Sequence, residues 1–342
     1  MIIRYWMLYF KENKMKQFNV YGLGNALVDV EYQVNDAFFK EVGVEKGVMT
    51  LVDRDQQLKT LEKLDSQYTM VKRCAGGSAT NTVFAVQCFG GTGFYSCKVA
   101  ADESGEFYLN DLESVGVTTN KNVESAGDQI TGQCVVMVSD DAERTMNTYL
   151  GISEVLTANE LDLTAIANSE YLYIEGYLVT SESARQTIEV AKKCAKEHDV
   201  KLAFTFSDPA MVQFFKDGLN DIVGDGMDLI FCNEAEALAF FDTADLNVAI
   251  AKLKTIAKSF VITLGSKGAM IFDNNEMINI DPVSAKAVDT NGAGDLFAGA
   301  YLYGITNGLT AKQSGDLASK SCAYLVENFG ARLSADVYKT FL

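Results

Sequence analysis

From about residue 165 onward, short apolar, β-branched and aromatic runs alternate with helix-like stretches. The runs are Tyr171–Ile174, Lys201–Phe206, Asp228–Cys232 and Phe260–Leu264, and Ser181–Lys196 and Asn247–Ala257 lie between them. Strands alternating with helices at this spacing imply parallel β-α-β units. Such strands are covered on both faces, which suits their near-continuous hydrophobicity. The fold class is therefore α/β.

The first half is less regular. Phe18–Leu23 reads as a strand ending in Gly22-Leu23-Gly24-Asn25. Ser78–Phe89 reads as a helix between Gly76-Gly77 and Gly90-Gly91, and Gly132–Ser139 as an alternating strand turning at Asp140–Glu143 into Arg144–Leu150. That alternation predicts a sheet with one exposed face. Asp29–Val34, Gly47–Val52 and Thr131–Leu150 are expected to form a small β appendage, a discontinuous lid from about residues 30–53 and 128–150. Two helices, Asp295–Asn307 and Ala311–Asn328, are expected near the end.

No linker rich in Pro, Gly or Ser divides the 342 residues, so residues 15–342 read as one domain. Residues 1–14 are short, apolar and then charged, with no small-residue cleavage site after them; they read as an extension without a role in the fold. A net charge of −17 repels phosphodiester backbones and anionic lipid, so neither nucleic acid nor a membrane is an expected partner. The single histidine, His198, ends a charged helix and excludes imidazole-rich zinc sites. Seven cysteines, an odd number with no C-x-x-C spacing, read as buried reduced thiols of a cytoplasmic protein.

The most informative stretch is Asp289-Thr290-Asn291-Gly292-Ala293-Gly294-Asp295. Small residues let the backbone turn its N–H groups outward, and the following helix adds its positive end, so Gly292, Ala293 and Gly294 form an anion pocket. Asp295 beside such a pocket suits a base that orients an attacking hydroxyl and takes its proton late in phosphoryl transfer. A glycine turn with Asp295 as an ordinary helix cap explains the same residues.

Asn233-Glu234-Ala235-Glu236 after a strand is a capping box, and Glu236 also suits a hydrated Mg²⁺. Thr263-Leu264-Gly265-Ser266-Lys267-Gly268-Ala269 reads either as a β-turn needing Gly268 at positive φ or as a nucleotide-flanking loop approached closely at Gly265. No Walker A loop occurs. Gly22-Leu23-Gly24-Asn25-Ala26-Leu27 lacks the third glycine of a dinucleotide fingerprint, and Asp29 follows at once rather than about 20 residues on. A dehydrogenase is thus disfavoured, and Asp29 is expected at the end of the first strand. Gly76-Gly77-Ser78-Ala79-Thr80-Asn81 opens a helix, where Asn81, with Asp29, suits the hydroxyls of a polyol.

Together and in this order, these segments resemble the ribokinase/PfkB family of carbohydrate and nucleoside kinases, over about Phe18 to Arg332. The resemblance implies a ribokinase-like three-layer α/β/α core with a mostly parallel central sheet and a small β-sheet lid. It implies an ATP-dependent, Mg²⁺-using kinase with Asp295 as catalytic base, and Gly292, Ala293 and Gly294 as anion hole. Asp29, Gly77 and Asn81 would contact substrate, Asn233 and Glu236 would serve Mg²⁺ and phosphate, and Thr263, Gly265 and Gly268 would flank the nucleotide. Asp289 matches a position that in some members helps bind a monovalent cation such as K⁺. Segments 22–29, 206–209 and 231–236 look similar to the adenosine kinase branch, whereas the turn 263–269 resembles the sugar kinases. Adenosine is the first acceptor, with ribose or another furanose or hexose second, and an inactive ligand-binding regulator is the rival from another class. Monomer and homodimer both occur in such a family.

Overall fold

The computed structural model describes residues 16–120, 129–141 and 143–342. The expected extension, residues 1–14, and position 128 at the edge of the expected lid lie outside the described residues. In chain order the strands are β1 (Phe18–Leu23), β2 (Leu27–Gln33), β3 (Met49–Leu51), β4 (Met70–Gly76), β5 (Gly93–Ser96), β6 (Thr118–Thr119), β7 (Gly132–Val138), β8 (Arg144–Tyr149), β9 (Ser169–Glu175), β10 (Lys201–Thr205), β11 (Met227–Asn233), β12 (Ala257–Thr263), β13 (Ala269–Asp273) and β14 (Glu276–Ile280).

Nine of them form one sheet in the order β14-β13-β12-β11-β10-β9-β1-β5-β6. Pairing is parallel from β6 through β12, and the last two strands join antiparallel. The period of two along each strand splits its side chains between two cores. Val20, Tyr171, Tyr173, Ala203, Leu229 and Val261 pack on one face, under the helices Ser78–Phe89, Ala293–Thr306 and Ala311–Val326. Tyr21, Leu172, Ile174, Phe204, Ile230 and Ile262 pack on the other, under Glu182–Glu197, Pro209–Val223 and Leu246–Ile256. Both faces are covered, as the near-continuous apolar runs require. Among the described residues no helix is long and apolar enough to cross a membrane.

The second sheet has the order β3-β8-β7-β2-β4. Three features depart from the sequence expectation. Its outer face is not open: Val28, Val30, Val135 and Met137 cluster with Phe38, Phe39 and Leu64 of two covering helices, while Cys134, Val136 and Val138 face the other way. The buried Gln57 amide fastens the second helix to the backbone carbonyls of Gln133 and Asn147. The sheet also contains β4, which the sequence reading left unassigned. Asp29 lies inside β2, between Cys74 and Cys134 in register, and not at the end of β1. The chain leaves the core sheet at Gly24 and enters the lid at Leu27, so the carboxylate arrives from the lid side.

His198 is exposed at the end of its helix, and all seven cysteines are free, six of them buried.

Candidate active site

A cavity of about 450 Å³ opens where the parallel strands end. Their last residues line it: Glu175 from β9, Thr205 from β10, Asn233 from β11 and Thr263 from β12. The lid adds Asp29, Met49, Leu51, Arg144, Met146 and Thr148. The carboxyl edge of a parallel sheet is where such folds present ligand groups, because the strands end there in loops and helix N-termini.

The helix carrying Asp295 starts earlier than its sequence suggests. Gly292 is the N-cap, with φ +68°, and Ala293 is the first helical residue. A Cβ at Gly292 would lie 2.4 Å from the Ala331 carbonyl oxygen, so packing and the left-handed backbone both demand glycine. The first helical hydrogen bond runs from Leu296 N–H to Gly292 O at 2.8 Å. The N–H groups of Gly294 and Asp295 precede it and have no partner among the described residues. Ala293 differs, since its N–H donates to Thr290 O at 3.3 Å. Asp295 is therefore the third helical residue, not the cap.

Its carboxylate is held from outside the helix. Ser78 Oγ donates to Oδ1 at 2.7 Å and Asn81 Nδ2 donates to Oδ2 at 2.9 Å. Thr82 Oγ1 donates to the Asp295 carbonyl at 3.2 Å, fixing the two helix starts against each other. Burial raises the Asp295 carboxyl from 3.8 to about 6, against the pull of the Asn81 and Ser78 hydrogen bonds and of Arg332. Asn81 is itself oriented: Arg332 Nε donates to its Oδ1 at 2.7 Å, and Arg332 is braced by Asp111 at 2.7 Å and by the Phe84 ring. Asn81 thus holds Asp295 and keeps one amide proton for a ligand. Arg332 is 251 residues away along the chain, and no sequence signal linked the two.

Asp29 is only 6% exposed, lines the cavity and has no hydrogen-bond partner among the described residues. Burial first, then the charge of Glu31, lifts its carboxyl to about 7. A nearly buried, unpartnered acceptor facing a cavity is built for a ligand that brings hydrogen-bond donors.

Glu236 and Asn233 form the capping box read from the sequence. Asn233 Oδ1 accepts from Glu236 N–H at 2.8 Å, and Glu236 accepts from Asn233 N–H at 3.0 Å and Nδ2 at 2.7 Å. Burial raises Glu236 to about 7, helped by the charges of Asp208 and Asp295. Asp208, which burial also raises, and Glu175, raised to about 7, are cavity residues not picked out from the sequence. Each sits at or just past the end of an apolar strand, the signal that marked Asn233.

The lining holds five carboxylates, Asp29, Glu175, Asp208, Glu236 and Asp295, against one cation, Arg144. A polyphosphate fits here only with a divalent ion to offset that charge. The donor set fits such an ion held through water: both Glu236 oxygens keep free lone pairs, while no three acidic, His or Cys side chains converge among the described residues to cage a metal directly. Arg144 Nη2, buried and without a partner, suits a phosphate oxygen.

Gly77 lines the cavity as expected, whereas Gly265, Gly268 and Asp289 do not. Gly265, at φ +57°, faces open space, and Gly268, at φ +90°, closes the β12–β13 connection against the Ile280 carbonyl. Asp289 is fully buried behind the anion loop. Its Oδ1 lies 2.7 Å from Arg144 Nε, an ion pair by distance without hydrogen-bond alignment, and accepts from Asn291 N–H at 2.9 Å. Its Oδ2 accepts from Gly330 N–H at 2.8 Å. A carboxylate so fully engaged does not fit a monovalent metal cation.

Comparison with known proteins shows the family and the fold. Residues 48–337 match the pfkB family of carbohydrate kinases. The chain is 29% identical to the adenosine kinase of Saccharomyces cerevisiae, over 90% of this chain and 94% of that protein. It is 27% identical to that of Dictyostelium discoideum, over 86% and 90%. The crystal structure of adenosine kinase from Sinorhizobium meliloti superposes with a TM-score of 0.87 at 31% identity, covering 94% of this chain and 98% of that one. A probable sugar kinase from Rhizobium etli gives 0.88 at 30%, covering 95% and 98%. The three-layer core with its second, smaller sheet is the ribokinase-like arrangement that the sequence implied.

Proposed function

This chain belongs to the pfkB family of carbohydrate kinases, and we propose that it transfers the γ-phosphoryl group of ATP to a ribose hydroxyl of adenosine. The observation that carries the reading is the Asp295 carboxylate. Ser78 and Asn81 fix it in the cavity beside unpaired N–H groups, and burial tunes it to about 6. A base of that strength is ionised at neutral pH and still able to take a proton.

In this mechanism Asp29 accepts hydrogen bonds from acceptor hydroxyls, and Gly77 and the remaining Asn81 proton complete that subsite. Asp295 accepts from the attacking hydroxyl and takes its proton as the new O–P bond forms and the bond from the γ-phosphorus to the bridging oxygen of ATP breaks, releasing ADP. The N–H groups of Gly292, Gly294 and Asp295, with Arg144, stabilise charge on the migrating phosphoryl group. Thr263 flanks the nucleotide. Glu236 and Asn233 would hold Mg²⁺, which would supply neutralisation of the phosphate charge. The lid sheet covers the acceptor and excludes water from the transfer.

Adenosine is favoured over a free sugar by the apolar lid residues Met49, Leu51, Met146 and Leu150 beyond Asp29. They offer a purine a surface that a hexose has no use for. The reduced thiols suit a cytoplasmic enzyme. The test is a product assay with MgATP against adenosine, other nucleosides, ribose, fructose and fructose phosphate. Adenosine should give AMP and the highest kcat/KM. A higher kcat/KM for ribose or fructose transfers the reading to the sugar kinases, and ATP hydrolysis unaffected by every acceptor overturns it.

A further inference from the structure

Behind the anion loop, lid and core meet across four charged side chains, two acidic and two basic. Asp289 and its partner Arg144 form one pair. Glu31 of β2 is wholly buried, and neither oxygen of its carboxyl has a hydrogen-bond partner. Directly across the lid sheet in register stands Lys72 of β4. Its Nζ lies 3.3 Å from the carbonyl oxygens of both Phe329 and Arg332. Gly330, between those residues, has φ +97°, and a Cβ there would fall 2.4 Å from Lys72 Nζ. The Gly330 N–H turns the other way, to Asp289. Carbonyls from both sides of a glycine thus converge on an ammonium group, with buried negative charge nearby.

Converging carbonyls beside carboxylates are also what a bare monovalent metal cation asks of a protein. We propose that Lys72 stands in for such a cation, as a tethered positive charge that holds the 329–332 loop, so that the enzyme works without a monovalent metal ion. Within this cluster Lys72 stands opposite Glu31 and Arg144 pairs with Asp289, so a tethered charge already occupies the place a free ion would take. The loop matters because Arg332 within it orients Asn81, and Asn81 holds Asp295. Lys72 is thus a positioning residue, acting through the loop. Its effect on rate rests on the kinase reading above; its effect on the fold does not.

The test compares wild type and Lys72→Met in K⁺, Na⁺ and tetramethylammonium chloride at one ionic strength. Adenosine phosphorylation and melting temperature are read in each salt. Wild-type rates should agree within about twofold, with no K⁺-specific rise in melting temperature. Lys72→Met should lose about tenfold in tetramethylammonium, the loss of one hydrogen bond from a charged donor. K⁺ should restore it saturably and raise its melting temperature. Severalfold stimulation of the wild type by K⁺ overturns the proposal. So does a Lys72→Met enzyme equal to wild type in every salt, or a loss that K⁺ does not restore. Should Lys72→Met fail to fold, the wild-type series decides alone. Should no salt support adenosine phosphorylation, the kinase reading fails, and the melting temperatures still judge Lys72.

Discussion

Replacing Asp295 with asparagine sets catalysis against stability in a single atom change. Burial moves this carboxyl from 3.8 to about 6. A carboxyl raised on folding favours the folded state at low pH, and that contribution is lost as pH rises through the folded value. Above about pH 6 the ionised group therefore weighs on the fold, by at most about 3 kcal/mol given that span. Asparagine carries no charge and removes this weight. Its oxygen can accept from Asn81 Nδ2 while its NH₂ donates to Ser78 Oγ, so two hydrogen bonds to a charged group become neutral ones, which takes back about 1–2 kcal/mol. Asp295→Asn should thus be more stable than wild type at pH 8 by about 1 kcal/mol, a rise of about 2 °C in Tm. The difference should grow between about pH 4 and pH 6 and then level off. Turnover should fall about 10²- to 10⁴-fold, the usual share of a positioned general base. Wild-type kcat/KM should decline as pH falls through about 6, where the base takes up its proton. Calorimetric melts across pH, beside a coupled assay of ADP release, read all of this. A variant that melts well below wild type at pH 8, or that turns over within about tenfold of it, refutes the reasoning.

Three further outcomes follow from the same geometry. Asp29→Ala removes a carboxylate with no protein partner, so KM for the acceptor should rise about 10- to 100-fold while KM for ATP stays put, as steady-state kinetics will show. Gly292→Ala forces a Cβ against the Ala331 carbonyl at φ +68°, so denaturant unfolding should show a loss of about 2 kcal/mol or more along with loss of turnover. Adenosine should slow amide exchange in β2, β7 and β8; equal exchange with and without it denies the lid its closing role.

Much of this was legible because backbone covering leaves a mark in composition. Strands buried on both faces, such as Leu229–Cys232, have nowhere to place a polar residue until they end, so both the strands and Asn233 at their rim could be read. Met70–Gly76 could not: it carries Lys72 and Arg73, and only antiparallel pairing with β2 makes it a strand. Asp29 was expected both at the end of the first strand and in the β appendage; the structure keeps only the second, because the chain changes sheets at Gly24–Ala26. The helix start was misjudged because Asp is a better cap than Gly by propensity. Here the close approach of Ala331 overrides propensity and frees the Asp295 carboxylate from capping duty.

That last displacement has a chemical meaning. A capping aspartate would spend its oxygens on the N–H groups that a phosphoryl group needs. With Gly292 as cap, the N–H groups of Gly294 and Asp295 stay free, and the carboxylate is handed to Ser78 and Asn81 on a neighbouring helix. Base and anion site can then occupy one helical turn without neutralising each other. The cost appears as mutual repulsion: Asp295 helps to raise Asp29, Glu175 and Glu236. On the proposed reading, hydroxyl donors at Asp29 and a hydrated divalent ion at Glu236 would relieve it.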